Sequence, residues 1–478
     1  MIINKITTFA FILLFPLLII AQPFEQETKI LATDGALDDM FGNSLSISGN
    51  FGVIGTPQDD DILSNSGAVY VYERSGDLWH VKAKLTIADS EEADMLGESV
   101  DIDEDYIVAG AYQAKGVGET TNTGAAYIFK RNGTSWDLQQ KIFANDGEIA
   151  DNFGRTVAIS GDYIVVGSPN EDFGTGAIYI FHKVGETWTQ VSKLIENDGN
   201  MNDYFGFSVD ISGDYIVSGA WQNNAPDSNT GAAYVFYNNA GTWEFKTKLI
   251  ANDAQVDDDL GYSVAISGDY IVASSHAQSG SKGAAYVFYN NAGIWEQQAK
   301  LLAGNGAGED YFSKNVSISG DYILVGAQRH DNTKSDEGAA YLFVRSGTSW
   351  TQDKQFNASD ESDTGLFGYC TAIDGNYAFI STIQDNGAVY VFGPEGLGIN
   401  KINSKVLIYP NPSTGFLNLK TDKELQIITI TDTKGKIMLQ VNSENKTRMI
   451  NITDFAIGLY FINIKNSKGV YTKKIIKK

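Results

Sequence analysis

Short runs of alternating apolar and polar residues recur along most of the chain. One example is "FGRTVAISGDYIVVG" at 153–167, in which two apolar runs flank Ser-Gly-Asp, and a third run, "GAIYIF", follows after a polar loop. Alternation with a period of two indicates strands that are buried on one face, and Gly-Asp suits the tight turn of a hairpin. The pattern therefore predicts consecutive antiparallel strands.

This pattern occurs seven times with a spacing of 52 to 57 residues. The matching segments begin at residues 41, 96, 153, 205, 260, 312 and 367. Six repeats continue into a fourth predicted strand with a tryptophan near its start, namely Trp79, Trp136, Trp188, Trp243, Trp295 and Trp350. Seven repeats of four antiparallel strands predict a seven-bladed β-propeller, in which every blade is one four-stranded sheet.

The seventh repeat ends at Phe392 without a fourth strand. The segment "FEQETKIL" at 24–31 resembles the fourth strands of the other repeats. We therefore predict that this N-terminal segment is the outer strand of the last blade. In that position it covers a sheet edge that would otherwise be open to pairing with other chains.

The composition agrees with an all-β fold. The chain of 478 residues contains 49 Gly, 24 Tyr and 25 Phe, which favour turns and strands. Its single cysteine, Cys370, excludes an internal disulfide, and we interpret it as a small buried hydrophobic residue. The stability of the fold must therefore come from packing.

The first 21 residues have the order of a secretory signal peptide. Lys5 precedes an apolar run at 9–20, and Ala21 ends the segment. The apolar run is short for a membrane span. We predict a signal peptide at 1–21 and no transmembrane span after its removal.

The net charge of −24 is unevenly distributed. Residues 399–478 carry fourteen Lys and Arg against five Asp and Glu, which leaves residues 22–398 at −34. So negative a domain repels phosphate backbones and anionic lipids. Nucleic acid and anionic membrane surfaces are therefore excluded as expected partners.

The Phe-Gly pair that opens most repeats, with Gly-Thr-Pro at 55–57 and Gly-Ser-Pro at 167–169, resembles the FG-GAP repeats of integrin α-chain propellers. The resemblance implies an extracellular propeller that presents a ligand-binding surface on one face. Calcium-binding members carry an Asp-rich loop between the first two strands. Here that position is a short hairpin such as Ser160-Gly161-Asp162, so the calcium sites of the family are not carried over.

Aspartates recur instead before the Phe-Gly pair at two positions five residues apart, except that Asn305 takes the first position in the sixth repeat and Gly365 the second in the seventh. Two carboxylates in one loop could begin a calcium site, since hard cations prefer oxygen ligands. The alternative is that these short side chains accept backbone N–H groups and shape the loop. The candidate metal-binding pairs are Asp34 and Asp39, Asp146 and Asp151, Asp198 and Asp203, and Asp253 and Asp258.

The loops that follow the second predicted strand vary most between repeats. They lie on the same face as the Asp-containing loops, and variable loops on a rigid ring are where recognition is expected. An aromatic residue or an arginine in such a polar loop is a plausible anchor. The candidate ligand-binding residues are Tyr112, Phe173, Trp221, His276, Arg329 and His330.

Catalysis finds little support in the sequence. The chain has four histidines, and neither HExxH nor GxSxG occurs. An enzyme that cleaves glycans remains an alternative, and a pair of acids with raised pKa values in a central cleft would favour it. A structural spacer within a surface assembly is a third interpretation.

The composition changes after Phe392, and short alternating strands with Pro, Asn and Gly turns predict a small Ig-like β-sandwich at the C-terminus. Several motifs there resemble the type A sorting domain of the Bacteroidetes type IX secretion system. The residues that carry the resemblance are Tyr409, Pro410, Asn411, Pro412, Gly415, Gly435, Gly458 and Tyr460. The resemblance implies recognition by the type IX machinery and delivery to the outside of the cell.

These observations predict four segments: a signal peptide at 1–21, a propeller at 22–393, a linker at 394–405 and a sorting domain at 406–478. We expect a secreted or cell-surface binding or adhesion protein whose loop face contacts a polysaccharide or a protein. No cofactor is implied apart from calcium as a candidate at the paired aspartates.

Overall fold

The described part of the chain folds almost entirely into short antiparallel strands. The computed structural model describes residues 24–76, 78–116, 122–224, 226–360, 365–394, 407–409, 411–420, 425–432, 436–442, 447–466 and 469–478. It divides into two compact units, residues 1–394 and 395–478. The predicted signal peptide and most of the predicted linker lie outside the described residues.

Within these residues, the first unit contains seven four-stranded sheets, which confirms the predicted all-β propeller. The sheets are called blades 1 to 7, and their strands are named first to fourth from the inside outward. Blade 1 comprises Ser44–Ser48, Phe51–Thr56, Ala68–Ser75 and Leu78–Leu85. Blade 2 comprises Val100–Asp103, Tyr106–Ala111, Ala125–Asn132 and Ser135–Ile142. Blade 3 comprises Thr156–Ser160, Tyr163–Ser168, Ala177–Val184 and Thr187–Leu194.

The remaining blades repeat this arrangement. Blade 4 comprises Ser208–Ser212, Tyr215–Ala220, Ala232–Asn239 and Thr242–Leu249. Blade 5 comprises Val264–Ser267, Tyr270–Ser275, Ala284–Asn291 and Ile294–Leu301. Blade 6 comprises Phe312–Ser319, Tyr322–Ala327, Ala339–Ser346 and Ser349–Phe356. Blade 7 comprises Thr371–Asp374, Tyr377–Thr382, Ala388–Pro394 and Phe24–Ile30. Two short helical turns, Glu171–Gly174 and Gln278–Ser281, follow the second strands of blades 3 and 5.

The ring closes in two ways. The first strand of each blade contacts the first strand of the next, and blade 7 contacts blade 1. Blade 7 also joins both ends of the propeller sequence, because Phe24–Ile30 pairs antiparallel with Ala388–Pro394. The N-terminal strand therefore takes the outer position that the other blades give to their tryptophan strands.

Aromatic contacts hold neighbouring blades together. The fourth-strand tryptophan of one blade packs edge-on against the aromatic residue that opens the second strand of the preceding blade, as Trp188 does on Tyr106 at 5.7 Å. Phe24 makes the equivalent contact with Tyr322 at 5.6 Å. The other pairs are Trp136 with Phe51, Trp243 with Tyr163, Trp295 with Tyr215, Trp350 with Tyr270 and Trp79 with Tyr377. The tryptophan series is therefore part of the blade interfaces.

The second unit contains two antiparallel sheets. One consists of Leu407–Tyr409, Phe416–Lys420 and Thr447–Asn451, and the other of Ile437–Asn442, Leu425–Asp432, Gly458–Asn466 and Gly469–Lys477 in spatial order. Their inward-facing aliphatic residues, such as Leu417, Ile430, Ile450 and Ile462, form one core. This arrangement is the small β domain expected at the C-terminus.

Candidate binding surface at one end of the propeller

The residue that follows Phe-Gly lines one end of the central channel in each repeat. In repeats two and five the pair is Leu-Gly, and in repeat six it is Phe-Ser. These seven side chains, called the mouth ring, are Asn43, Glu98, Arg155, Phe207, Tyr262, Lys314 and Tyr369. Together with the first strands they enclose a cavity of about 460 Å³. Because seven different blades supply the ring, its chemistry differs from one sector to the next.

Backbone geometry fixes the mouth ring in place. Gly206 has a φ of +87°, and a Cβ there would lie 2.4 Å from the carbonyl oxygen of Ala177. Blade 6 has Ser313 at the equivalent position with a φ of +72°, and its hydroxyl donates a hydrogen bond to the Ala284 carbonyl at 2.6 Å. The close approach of blade and loop explains why this position is nearly invariant among the repeats, while the next residue is free to vary.

Six aromatic rings contact one another beside the mouth, on the loops of blades 4 and 5 and on those that join them to blades 3 and 6, with planes inclined by 16 to 76°. This aromatic platform consists of Tyr204, Phe207, Trp221, Tyr262, His276 and Tyr311. Trp221 lies nearly parallel to Tyr204, with centroids 5.8 Å apart and planes inclined by 16°. His276 is 4.3 Å from Tyr262 and nearly parallel to Tyr311 at 6.0 Å. The platform therefore links the loops of several blades through ring contacts.

Three cations border the platform. Arg155 lies over Tyr112 and Phe207 and forms a salt bridge with Glu98. Lys314 lies 5.9 Å from the ring of Tyr262, and Arg329 lies 5.1 Å from the ring of Tyr311. Aromatic faces attract such cations.

The charge of Arg155, in blade 3, affects Tyr369, in blade 7. Burial lowers the pKa of its guanidinium, which nevertheless remains charged. Burial raises the pKa of Tyr369 to about 12, with Cys370 and Tyr262 adding to this effect and the charge of Arg155 opposing it. Side chains from different blades therefore converge at the mouth.

Four of the six predicted ligand residues lie in or against this region. Trp221 and His276 belong to the platform, Tyr112 contacts Arg155, and Arg329 contacts the platform at Tyr311. Burial lowers the pKa of His276 to about 4, with Lys314 adding to the effect, so this imidazole is neutral at physiological pH.

The other two predicted ligand residues lie outside the platform. Phe173 is 82% exposed and borders a second depression, which Tyr204 of the platform also lines. His330 is buried, with Nδ1 2.9 Å from Asp310 Oδ2 and Nε2 3.1 Å from the amide nitrogen of Asn305. Phe173 therefore lies beside the platform, whereas the buried His330 is not accessible to a ligand.

In six of the seven repeats, the aspartate nearest the Phe-Gly pair is buried and shapes its loop. Asp258 accepts a hydrogen bond from the backbone N–H of Gln255 at 2.8 Å, and burial raises its pKa. Equivalent bonds are made by Asp39, Asp94, Asp151, Asp203 and Asp310. This geometry supports the loop-shaping alternative for these residues.

The more distant aspartate of each pair contacts other strands of its repeat. Asp253 accepts hydrogen bonds from Tyr286 at 2.8 Å and from Lys300 at 2.6 Å. Burial would raise the pKa of Asp253, but these two bonds outweigh burial and lower it. Similar lysine contacts occur at Asp34, Asp89, Asp146, Asp198 and Asp360.

The two aspartates of a pair thus have different partners. Among the residues that the structure describes, no group of three His, Cys, Asp or Glu side chains is arranged to hold a metal ion. Calcium binding at these pairs stays a prediction that the hydrogen bonds do not favour.

Two further acids lie inside the channel. Burial raises the pKa of Asp101 to about 6 and that of Asp210 to about 7, and the charge of Asp101 adds to the shift of Asp210. Asp101 accepts backbone N–H bonds from Ile102 and Ile159, and Asp210 does so from Ile211 and Ile266. Both carboxylates therefore connect adjacent blades.

Sequence reasoning missed Arg155, Phe207, Tyr262 and Lys314. The sequence does contain a signal for them, because the residue after Phe-Gly differs in nearly every repeat although its neighbours are almost uniform. A position that varies within a uniform repeat is not needed for the scaffold. The mouth ring fits this description.

In the second unit, several residues of the predicted sorting signal connect strands. The side chain of Asn411 donates to the Lys474 carbonyl at 2.8 Å and accepts from the Ile476 N–H at 2.9 Å. Tyr460 is buried and donates to the Ala456 carbonyl at 2.9 Å, whereas Tyr409 is half exposed. The Asn411–Pro412 peptide is cis. Pro410 and Gly435 lie outside the described residues.

The ring of blades and its variable mouth define a β-propeller with a candidate ligand-binding face. Six segments, together more than half of the chain, match the FG-GAP repeat family, so the chain belongs to that family. The matched residues are 24–72, 79–129, 136–181, 188–236, 243–288 and 295–343. Each segment begins with an outer strand and continues into the next blade, and Phe24 begins the first one.

Residues 407–478 match the secretion system C-terminal sorting domain. This domain marks the chain for the type IX secretion machinery, for secretion and for attachment at the cell surface. No curated protein matches the chain. Among the described residues, no helix has the length and apolar character needed to cross a membrane.

Proposed function

We propose that this exported propeller binds an extracellular polysaccharide through the aromatic platform at its channel mouth. The observation that carries the proposal is the continuous set of contacting rings between blades 3 and 6, which includes the nearly parallel pair Tyr204 and Trp221. Sugar rings have apolar C–H faces that pack on flat aromatic groups, while their hydroxyls hydrogen-bond at the edges. The rigid ring of blades holds the platform, so little conformational entropy is lost on binding.

Binding of neutral oligosaccharides to the purified chain, measured by calorimetry, tests this proposal. Trp221→Ala should weaken binding by about tenfold, since a buried aromatic anchor contributes at least 1 to 2 kcal/mol. Trp221→Phe keeps an aromatic face and should bind nearly as well as wild type. Phe245→Ala, in the outer strand of blade 4 and 43% exposed, is the matched control. Equal binding by Trp221→Ala and wild type would contradict the proposal.

Exposed aliphatic residues on the same face favour a second candidate, a protein partner. The position four residues before Phe or Leu of the Phe-Gly pair is an exposed apolar side chain in four repeats. These residues and their exposed fractions are Leu37, 70%; Ile149, 68%; Met201, 66%; and Val256, 56%. These residues lie in loops of blades 1, 3, 4 and 5, where a partner that covers several blades would bury them. Replacing all four with serine would weaken protein capture and leave oligosaccharide binding unchanged.

The channel acids bear on the alternative of a glycan-cleaving enzyme. Asp101 and Asp210 have the raised pKa values expected of such a pair. Both oxygens of each carboxylate, however, accept backbone N–H groups, which favours a structural role. Release of new reducing ends from a bound glycan by wild type, and its loss in Asp210→Asn, would favour the enzyme over the binding protein.

A further inference from the structure

Two cations at the edge of the platform differ from most basic residues of the propeller. Most Lys and Arg side chains there pair with a carboxylate, as Lys300 does with Asp253. Among the described residues, Lys314 and Arg329 form no salt bridge, although the surrounding domain is strongly acidic. An acidic domain that leaves two neighbouring cations unpaired has room for an anionic ligand group at that place.

The two cations belong to one local cluster. The N–H of Lys314 donates to the carbonyl of Tyr311, and Arg329 packs on the ring of Tyr311. Burial lowers the pKa of Lys314, and the charge of Arg329 lowers it further. A ligand carboxylate would relieve this repulsion and accept charge-assisted hydrogen bonds from both side chains.

Buried polar atoms beside the cations point to a ligand that also carries hydroxyl groups. Gln328 is 5% exposed and lines the cavity, and among the described residues its Oε1 atom has no hydrogen-bond partner. His276 is 8% exposed, and its Nδ1 atom likewise has no partner there. Leaving such atoms unpaired is unfavourable, and hydroxyl groups could satisfy both of them.

The charge of the whole domain limits how many anionic groups the ligand can carry. Residues 22–398 have a net charge of −34, which repels an extended polyanion at long range. The cation cluster is confined to one sector of blades 5 and 6, and the third cation, Arg155, is already paired with Glu98. An otherwise neutral chain with a single charged sugar satisfies the cluster without the repulsion.

We propose that Lys314 and Arg329, with Gln328 and His276 beside them, bind one carboxylate-bearing sugar of an otherwise neutral glycan whose other sugars lie on the aromatic platform. This inference rests on the proposed function, because it names the ligand class of the same surface. An acidic peptide offers carboxylates too, but it lacks the ring faces and hydroxyls that the platform and the buried polar atoms would contact.

The test uses the purified chain and a panel of neutral glucose, galactose and mannose tetrasaccharides. Each is paired with a counterpart in which C6 of the terminal sugar is oxidised to a carboxylate. For at least one pair, calorimetry should show about tenfold tighter binding of the oxidised member, or about 1.4 kcal/mol. Lys314→Gln and Arg329→Gln should remove this preference, so that each variant binds the neutral and the oxidised member of that pair equally well. Lys115→Gln, whose lysine pairs with Glu91 on the same face, should keep the preference.

The outcomes separate the two proposals. If neutral and oxidised members bind equally well, or if Lys314→Gln keeps the preference, the carboxylate site is wrong and polysaccharide binding stands. If no tetrasaccharide binds, or a glutamate tetrapeptide binds and the sugars do not, both proposals are wrong. Unchanged melting midpoints would show that the two variants are folded. This is expected for Lys314→Gln because the residue after Phe-Gly varies among blades, and for Arg329→Gln because its side chain is exposed.

Discussion

At the scale of single residues, comparison of the repeats separates scaffold positions from candidate ligand positions. The buried aspartate before Phe-Gly has the same backbone bond in six blades, which is how a loop-shaping residue behaves. The residue after Phe-Gly is different in almost every blade. Uniformity across blades therefore indicates a role in the fold, and variation at a structurally fixed position indicates a role in recognition.

Asp258 provides a test of the loop-shaping role. Asp258→Asn should lower the free energy of unfolding by about 1 to 2 kcal/mol, because a buried charge-assisted bond to Gln255 N–H is weakened. The exposed neighbour Asp257→Asn is the control and should change little. Denaturant unfolding with millimolar calcium and with chelator provides the measurement. A calcium-dependent rise in wild-type stability that Asp258→Asn abolishes would instead establish a metal site.

At the scale of elements, the N-terminal strand completes the last blade. Phe24 is 3% exposed and packs against Tyr322 and Phe356, with ring centroids 5.6 and 6.3 Å apart. It thus fills the place of the tryptophan that blade 7 lacks. The blade interface in this sector depends on a residue that lies 298 positions from Tyr322 and 332 positions from Phe356 in the sequence.

Replacing this residue should weaken the whole ring. Phe24→Ala should lower the free energy of unfolding by about 3 kcal/mol, the usual effect of removing a buried phenylalanine. Phe24→Trp restores the residue type of the other six blades and should be tolerated. Leu31→Ala, 55% exposed just beyond the strand, is the control. Denaturant unfolding measures this effect. A midpoint for Phe24→Ala equal to that of wild type would show that closure of the ring does not depend on this side chain.

Elements were more predictable from the sequence than the site. Four strands per repeat and seven repeats follow from local alternation, and the missing seventh tryptophan predicts the position of Phe24–Ile30. The mouth ring depends on contacts between residues about 55 positions apart, so no local pattern brings Arg155, Phe207 and Tyr262 together. His330 illustrates the same limit: one polar loop contains the exposed Arg329 and the buried His330, and His330 is distinguished by its contacts with Asp310 and Asn305, which lie 20 and 25 positions away.

At the scale of the whole molecule, the acidic propeller should have a distinctive dependence of stability on pH. Lysine and tyrosine contacts lower the pKa of Asp34, Asp198 and Asp253 against the effect of burial. Stability from these groups is present at neutral pH and is lost as the pH falls below about 4. Stability from acids with raised pKa values is instead lost as the pH rises through the folded-state pKa.

The channel acids lead to the last prediction. The folded-state pKa is about 6 for Asp101 and about 7 for Asp210, against 3.8 ordinarily, so the native state binds protons more tightly than the unfolded state. The free energy of unfolding should therefore fall as the pH rises from about 4 to about 7. The double variant Asp101→Ala/Asp210→Ala, which copies the alanine of blades 3, 5 and 7, should reduce this fall by several kcal/mol, because each unit of pKa shift corresponds to about 1.4 kcal/mol.

The slope with pH is the measured quantity in that experiment, since loss of the N–H acceptors lowers stability at every pH. Some slope should persist in the double variant, because Asp151, Glu196 and Asp259 also have pKa values raised to about 7, mainly by burial. Urea unfolding at pH 4.5, 6 and 7.5 gives the slope for both proteins. Parallel curves would mean that the channel carboxylates titrate as ordinary solvated acids, and that the channel is wetter than its lining indicates.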